Sequence, residues 1–388
     1  MNTLQRLTLF TLATALGLAG TLAETPPGFA ESIKTIRAVG PEGRGNAEAS
    51  RAWKILVAGD AATLPALLAG MDDANELAAN WLRSAVDVIA GREADTKLPL
   101  AELGKFLLDT RHHPRARRLA FELIARADAA SAEKLLPGML NDPSLELRRD
   151  AVEKVIEQAA QSLAGGQKPG AALLYQQALG FARDVPQIDI ITKKLKELGQ
   201  PVDLPKHFGF LTQWKVVGPF DNAGGKGFDV IYPPETGLDL AAEYEGKTAK
   251  VRWQDFASTQ EYGKVDINKP CGALKGVTAY AYTVFPADKA QPAELRLACK
   301  NGWKIWFNGQ FLFGRDEYHR MTEIDQYRLP VTLRPGRNVI LVKVCQNEQT
   351  EEWTKEWEFQ LRITDALGTP IAPATSSVVA AAPVTNHP

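Results

Sequence analysis

NGWKIWFNGQFLF (residues 301–313) sets two tryptophans and three phenylalanines around an Asn-Gly pair. Asn308-Gly309 between two alternating runs is a strong local signal for a two-residue β-hairpin, because both turn positions need positive φ and these residue types tolerate it best. With that turn, Phe307 faces Gln310, Trp306 faces Phe311 and Ile305 faces Leu312. Successive side chains point to opposite sides of a strand. Trp303, Ile305, Phe307 and Leu312 then share one face, and Lys304, Trp306, Phe311 and Phe313 share the other. Both faces are largely apolar. One packs on a second sheet, and the other is left for a loop, for the helical part of the chain or for a ligand.

The same period of two extends on both sides of the hairpin. From Phe208 onward FLTQWKVVG, VTAYAYTVF, AELRLAC, QYRLPVTL, NVILVKVC and EWEFQLRIT are rich in β-branched and aromatic residues and are separated by Gly, Pro and Asn. Many short strands without a helical period between them predict an antiparallel β-sandwich. Upstream, from about Glu31 to Gly199, apolar residues recur at spacings of three and four, which predicts short helices. Ala52, Ala85, Ala120 and Ala151 occupy matching points, and Arg83, Arg118 and Arg149 precede the last three by two residues. The chain is therefore expected to be a multidomain α and β protein: a signal peptide at 1–23, a helical repeat domain at 24–200, a linker at 201–207, the sandwich at 208–370 and a disordered tail at 371–388.

NDPSLELRRDAVEKVIEQA (residues 141–159) resembles a HEAT repeat, and the likeness extends loosely over 45–163. It implies an α-solenoid that docks a protein partner along its surface. WKVVGPFDN (214–222), KIWFNGQFLF (304–313), RPGRNVILVKV (334–344) and EWEFQLRITDALGTPI (356–371) resemble the galactose-binding-like jelly-roll domain of secreted multidomain bacterial proteins. That resemblance implies a module of the kind found beside glycoside hydrolase domains, often with a carbohydrate ligand. Fold alone does not fix function.

A net charge of −1 gives no global field toward nucleic acid or an anionic membrane. Arg6 is followed by an uncharged run at 7–23 that ends in Thr21-Leu22-Ala23, with small residues at positions −3 and −1 of a cleavage site. This predicts export, to the periplasm or outside the cell, with no membrane span left after cleavage; an uncleaved anchor is the alternative. The cysteines are Cys271, Cys299 and Cys345, so at most one disulfide forms. Cys299 and Cys345 end two strand-like runs and are read either as a cross-strand bridge or as two buried thiols.

The candidate ligand-binding residues are Trp306, Arg315, Asp316, Tyr318 and His319. Trp306 offers an indole face for sugar stacking, against the structural alternative of cross-strand packing. Arg315, Asp316, Tyr318 and His319 lie in GRDEYHR (314–320), a loop that is either a hydroxyl-binding edge or a solvated turn with internal ion pairs. Asp221, Asn222 and Asp229 lie in a Gly-rich loop where a structural calcium is the weaker alternative to a plain turn, since their spacing matches no defined motif. No other cofactor is expected. RHHPRARR (111–118) reads as a turn entering a helix or as an acidic-partner site, and Trp353 and Trp357 as an edge strand or a sugar contact. No GxSxG, HExxH or Cys-His nucleophile pattern is present, and no carboxylate pair is singled out. The sequence therefore predicts an exported, non-catalytic binding protein. The alternatives are a pure protein-interaction scaffold, and a hydrolase or an accessory subunit of a carbohydrate-active enzyme.

Overall fold

The computed structural model describes residues 27–374. The signal segment at 1–23 and the tail at 375–388 lie outside the described residues. The chain divides into two compact units, Met1–Leu136 and Pro137–Pro388.

The first unit is helical. It contains α1 (Phe29–Arg37), α2 (Asn46–Leu56), α3 (Leu64–Ala69), α4 (Glu76–Arg92), α5 (Leu100–Leu108), α6 (Pro114–Ala127) and α7 (Ala129–Leu135). Neighbours in sequence pack in pairs, with α1 on α2, α3 on α4 and α5 on α6. The starts of these helices follow local chemistry. Asn75 accepts from the Ala78 N–H at 3.0 Å, and Asp128 accepts from Ser131 at 3.0 Å, each satisfying a donor that the helix leaves open. RHHPRARR is one such start. His113 precedes Pro114 at the first turn of α6, the His112 ring stacks on Phe106 at 3.8 Å, and buried Arg117 donates to the Leu107 carbonyl at 2.7 Å. The spaced alanines Ala52, Ala85 and Ala120 are buried in α2, α4 and α6, where a methyl lets adjacent helices approach.

The second unit begins with α8 (Leu145–Ala164), which carries the buried Ala151, then α9 (Lys168–Phe181), α10 (Val185–Glu197) and α11 (Leu204–Phe208). Val152, Ile156, Tyr175, Ile188 and Phe208 join in one apolar cluster. Only residues 165–167 separate α8 from α9, because Pro169 sits in the first turn of α9, where its missing N–H leaves no bond unmade.

The strands follow: β1 (Gln213–Asp221), β2 (Glu243–Glu245), β3 (Lys250–Arg252), β4 (Gln254–Ala257), β5 (Val265–Asp266), β6 (Val277–Ala287), β7 (Gln291–Cys299), β8 (Gly302–Phe307), β9 (Gln310–Arg315), β10 (Tyr327–Leu333), β11 (Gly336–Gln346) and β12 (Glu358–Thr364). They build a six-stranded sheet in the order β4-β1-β6-β11-β8-β9 and a four-stranded sheet in the order β10-β7-β12-β5, with β2 and β3 paired separately. All the pairings are antiparallel. Val216, Ala281, Trp303, Ile305, Val342 and Val344 from one sheet meet Leu295, Leu297, Phe359, Leu361 and Ile363 from the other in a single buried core. Burying such alternating apolar faces on each other is the dominant favourable term for a sandwich.

The hairpin forms as its turn chemistry dictates. Asn308 and Gly309 have φ of 50° and 81°, and Phe307 pairs with Gln310 and Trp306 with Phe311. The turn is also hooked to β11: the Asn308 carboxamide oxygen accepts from the Val339 N–H at 2.8 Å. Beyond Trp306 the register shifts, so that Ile305 pairs with Phe313 rather than with Leu312. A bulge on an edge strand leaves one residue unpaired and moves the following residues to the opposite face. Phe313 consequently lies against Trp303, with ring centroids 5.9 Å apart, and not beside Trp306.

Of the two readings of Cys299 and Cys345, the structure has the buried thiols and not the cross-strand bridge. Cys299 in β7 pairs with Phe359, whereas Cys345 in β11 pairs with Thr278 and Gly302 of the other sheet. They are not cross-strand neighbours, and all three thiols are free and buried. Burial pushes Cys271 and Cys345 up to about 12, so neither is a thiolate at neutral pH. Residues 371–374 are tied to the sandwich: the Ile371 N–H donates to the Ile363 carbonyl at 3.0 Å and the Ala374 N–H to the Pro286 carbonyl at 2.9 Å.

Candidate ligand-binding surface at the sandwich end

Three sequence-distant loops, at 222–229, 314–321 and 347–354, are joined at one end of the sandwich by direct side-chain contacts. Beneath them lies a buried polar network. Gln346, 0% exposed, ends β11, and Asn301, 1% exposed, precedes β8. The Asn301 amide donates to the Gln346 carboxamide oxygen at 3.0 Å, and the Gln346 amide donates to the Thr354 carbonyl at 3.0 Å. Asn222 in turn donates to the Gln346 carbonyl at 3.0 Å. Each bond replaces one with water, and together they hold the loops in one arrangement.

Tyr318 rests on this base. Its hydroxyl accepts from Asn222 at 3.3 Å. A side chain at Gly302 would meet the Tyr318 ring at 3.1 Å, so the ring packs closely over this glycine. Burial pushes the Tyr318 phenol above its ordinary value, and the hydroxyl stays protonated as a donor. His319 follows in the left-handed region, with φ of 57°, a conformation that costs a non-glycine residue about 1 kcal/mol or more. Its Nε2 lies 2.9 Å from the Asn347 carboxamide oxygen. That oxygen also accepts from the Gln349 N–H at 3.2 Å, so the His319 Nε2 is the donor in this contact. The Trp353 indole stands edge-on to the imidazole, with centroids 5.3 Å apart and planes at 87°. Trp353 is 61% exposed. An exposed indole beside a histidine, a tyrosine hydroxyl and two carboxamides offers an apolar plate rimmed by donors and acceptors.

The other candidate residues take different positions. Arg315 and Arg320 clasp Glu317 at 3.8 and 3.3 Å, and Asp316 is exposed next to Tyr318. Trp306 lies on the outer face of the six-stranded sheet, half-buried among Val217, Tyr280, Tyr282 and Leu341, with the more exposed Phe311 ring 5.6 Å away. It is separate from the Tyr318–His319–Trp353 group. Lys304, on the same face, touches the first loop, with its ammonium 4.3 Å from the Phe228 ring centroid. Trp357 is fully buried and donates to the Val344 carbonyl at 3.3 Å. Asp221 pairs with Lys247 at 3.0 Å and Asp229 with Lys304 at 3.5 Å. Among the described residues no group of three or more His, Cys, Asp or Glu side chains is placed to hold a metal. Asn347 is the residue that sequence reasoning missed. Its only signal is the turn-forming run QNEQT (346–350), which reads as an ordinary loop.

No protein-family model matches the chain, and no curated protein matches it in sequence. Solved structures show faint likeness. An FMN-binding beta-glucuronidase from Facaelibacterium prausnitzii L2-6 aligns at 13% identity and TM-score 0.22, over 39% of this chain and 21% of that one. The beta-glucosidase from Kluyveromyces marxianus in complex with glucose aligns at 9% identity and TM-score 0.22, over 44% and 20%. The PA14 domain of the MpAFP antifreeze protein aligns at 11% identity and TM-score 0.24, over 40% and 81%. The chain thus spans only about a fifth of the two glycosidases, and likenesses at these TM-scores carry no inference about what it does.

Proposed function

We propose that this chain is an exported, non-catalytic binding protein whose sandwich recognises a carbohydrate or a cell-surface component through its end loops, while its N-terminal helices dock a protein partner. The observation that carries the first part is the Trp353–His319–Asn347 arrangement, with Tyr318 and Asn222 alongside. A pyranose presents C–H groups on its faces and hydroxyls on its edge, which matches an indole plate with a polar rim. Two of the carboxylates nearby already hold the loops: Glu317 sits between Arg315 and Arg320, and Glu348 accepts from the Gly224 N–H. That employment favours binding over acid–base chemistry. For the helices the support is the repeat resemblance over 45–163, which implies an extended helical surface. The export reading rests on residues 1–23 and is tested by the mass of the mature protein.

The binding reading is tested on a glycan array with the whole mature chain, followed by calorimetry on any hit. Trp353→Ala should weaken binding by about tenfold or more, the scale of losing one buried aromatic anchor. His319→Ala should weaken it less, and Trp306→Ala should leave it unchanged. If Trp306→Ala abolishes binding and Trp353→Ala does not, the ligand sits on the sheet face and the end-loop assignment fails. A folded wild type that binds no glycan removes the carbohydrate reading and leaves the scaffold reading.

A further inference from the structure

A second concentration of charge lies where β7 and β12 meet α8, α10 and the segment at 322–326. Arg148, Arg296 and Arg362 are 2%, 2% and 0% exposed. Asp325 takes Arg362 at 2.7 Å and Arg296 at 2.6 Å, and Glu294 takes Arg296 at 2.7 Å. Arg148 and Arg183 are served differently. Arg148 donates to the Asp142 and Leu367 carbonyls, both at 2.9 Å. Arg183 donates to the Ala182 carbonyl at 2.7 Å, and its Nε is buried with no hydrogen-bond partner. Carbonyl dipoles satisfy donors without neutralising charge, and a buried charge lacking a counter-ion is costly. Burial, with the Arg362 and Arg148 charges adding to it, pushes the Arg183 guanidinium down to about 9.

Beside these two arginines is a cavity of about 510 Å³ walled by Arg148, Arg149, Arg183, Gln187, Thr322 and Glu323, among others. Gln187 is 3% exposed. Its amide donates to the Arg149 carbonyl at 3.0 Å and to Glu153 at 2.8 Å. Its carboxamide oxygen is buried with no partner, so this wall lacks a donor as well as an anion. Glu146, Asp184 and Glu323 stand on the same walls, with Asp184 paired to Arg149 at 3.5 Å. Their charge disfavours a polyanion.

We propose that this cavity binds a small oxyanion that also carries a hydroxyl, a hydrogen phosphate or a hydroxycarboxylate, its oxygens toward Arg183 and Arg148 and its O–H toward the Gln187 carboxamide. Guanidiniums are the side chains best suited to such oxygens.

The test is thermal unfolding of the full chain at pH 7 in KCl, with part of the salt replaced at constant ionic strength by phosphate, glycolate, sulfate or acetate. Phosphate or glycolate should raise the Tm by roughly 5 °C near saturation, and sulfate and acetate, which bear no O–H at this pH, by less. A response to phosphate alone assigns a phosphate-type ligand, and a response to glycolate alone a hydroxy acid. Arg183→Met should abolish the shift while its Tm in KCl equals or exceeds that of the wild type, because an apolar replacement removes a half-buried charge that has no carboxylate partner. A purely structural arginine would give the opposite sign in KCl. No anion effect in the wild type, or a full effect in Arg183→Met, overturns the proposal, and equal shifts with sulfate remove its hydroxyl requirement. Arg149→Gln, whose side chain is 61% exposed in the wild type, covers a failure of Arg183→Met to fold. It should weaken phosphate binding severalfold in calorimetry, and an unchanged affinity counts against the site.

Discussion

Asp325→Asn should be among the most destabilising polar substitutions in the second unit. Asp325 sits in the left-handed region, with φ of 64°, and its side chain is 7% exposed. It accepts from Arg362 through both oxygens, at 2.7 and 2.5 Å, and from Arg296 at 2.6 Å. The asparagine keeps the shape but removes the charge and turns one acceptor into a donor aimed at a guanidinium. Arg362, 0% exposed, is left with the Phe208 and Gly368 carbonyls at 3.2 Å. Breaking a buried pair by removing one partner costs about 3–5 kcal/mol, which for a domain of this size lowers the Tm by roughly 6–20 °C. Chemical denaturation followed by the fluorescence of Trp214, Trp303 and Trp357, which are buried in the sandwich, reports it directly. The pH dependence supplies a second check. Burial opposes ionisation of Asp325, but the Arg362 and Arg296 guanidiniums override it and hold the carboxyl below its ordinary range. Its contribution is therefore present above the unfolded value of about 3.9 and is lost as pH falls through the folded value. The gap between wild type and Asp325→Asn should be widest above about pH 4 and close in stronger acid. A loss under about 1 kcal/mol at pH 7, the scale of a surface ion pair, would refute the reasoning.

The hairpin and the outer face of the six-stranded sheet give two more predictions. Ile305→Ala should cost about 2–5 kcal/mol, because Ile305 is 0% exposed in the core, whereas Phe311→Ala should stay within about 0.5 kcal/mol, because Phe311 is 56% exposed; the reverse order in denaturation midpoints would mean the register is wrong. Lys343, 0% exposed, bonds to Glu235 at 2.8 Å and to the Phe228 and Val230 carbonyls, and Tyr280 also donates to Glu235. Glu235→Gln should therefore cost about 3 kcal/mol and sensitise the segment at 228–235 to protease, and adding Lys343→Met should recover much of that loss. If the double variant is no more stable than Glu235→Gln alone, the ion pair is not what holds the segment.

What the sequence made legible was local. Asn308-Gly309 and the alternation around it specify the hairpin because turn type and side-chain period are short-range properties, and the runs read as strands are strands in the same order. The bulge at Leu312 was not legible, since it depends on how the edge strand β9 follows β8. The choice between a Cys299–Cys345 bridge and two buried thiols was not legible for a similar reason: alternation says where a strand ends but not which sheet it joins. The end-loop group was legible only in pieces. Asn222, Tyr318, His319 and Trp353 each attracted notice by residue type, yet their meeting depends on the pairing of β11 with β6 and β8, contacts between segments far apart in the chain.

The arginines show where alternation stops being informative. ELRLAC and EFQLRIT place Arg296 and Arg362 opposite Leu295, Leu297, Leu361 and Ile363, the pattern of a sheet with one face in the core and the other in water. The leucines and isoleucine are in the core, as that alternation requires. It was silent on what covers the polar face. Phe208 at the end of α11 and the 365–368 turn supply that cover, through carbonyls bonded to Arg362 and Arg296. A guanidinium on a four-bond stem suits either setting, so sequence composition cannot distinguish a solvated arginine from a buried one. Stability can. A solvated Arg362 would make Asp325→Asn nearly silent, whereas an enclosed one makes it severe. The same enclosure leaves Arg148 and Arg183 without carboxylates of their own, and it is why an anion in the adjoining cavity should stabilise this unit rather than merely screen it.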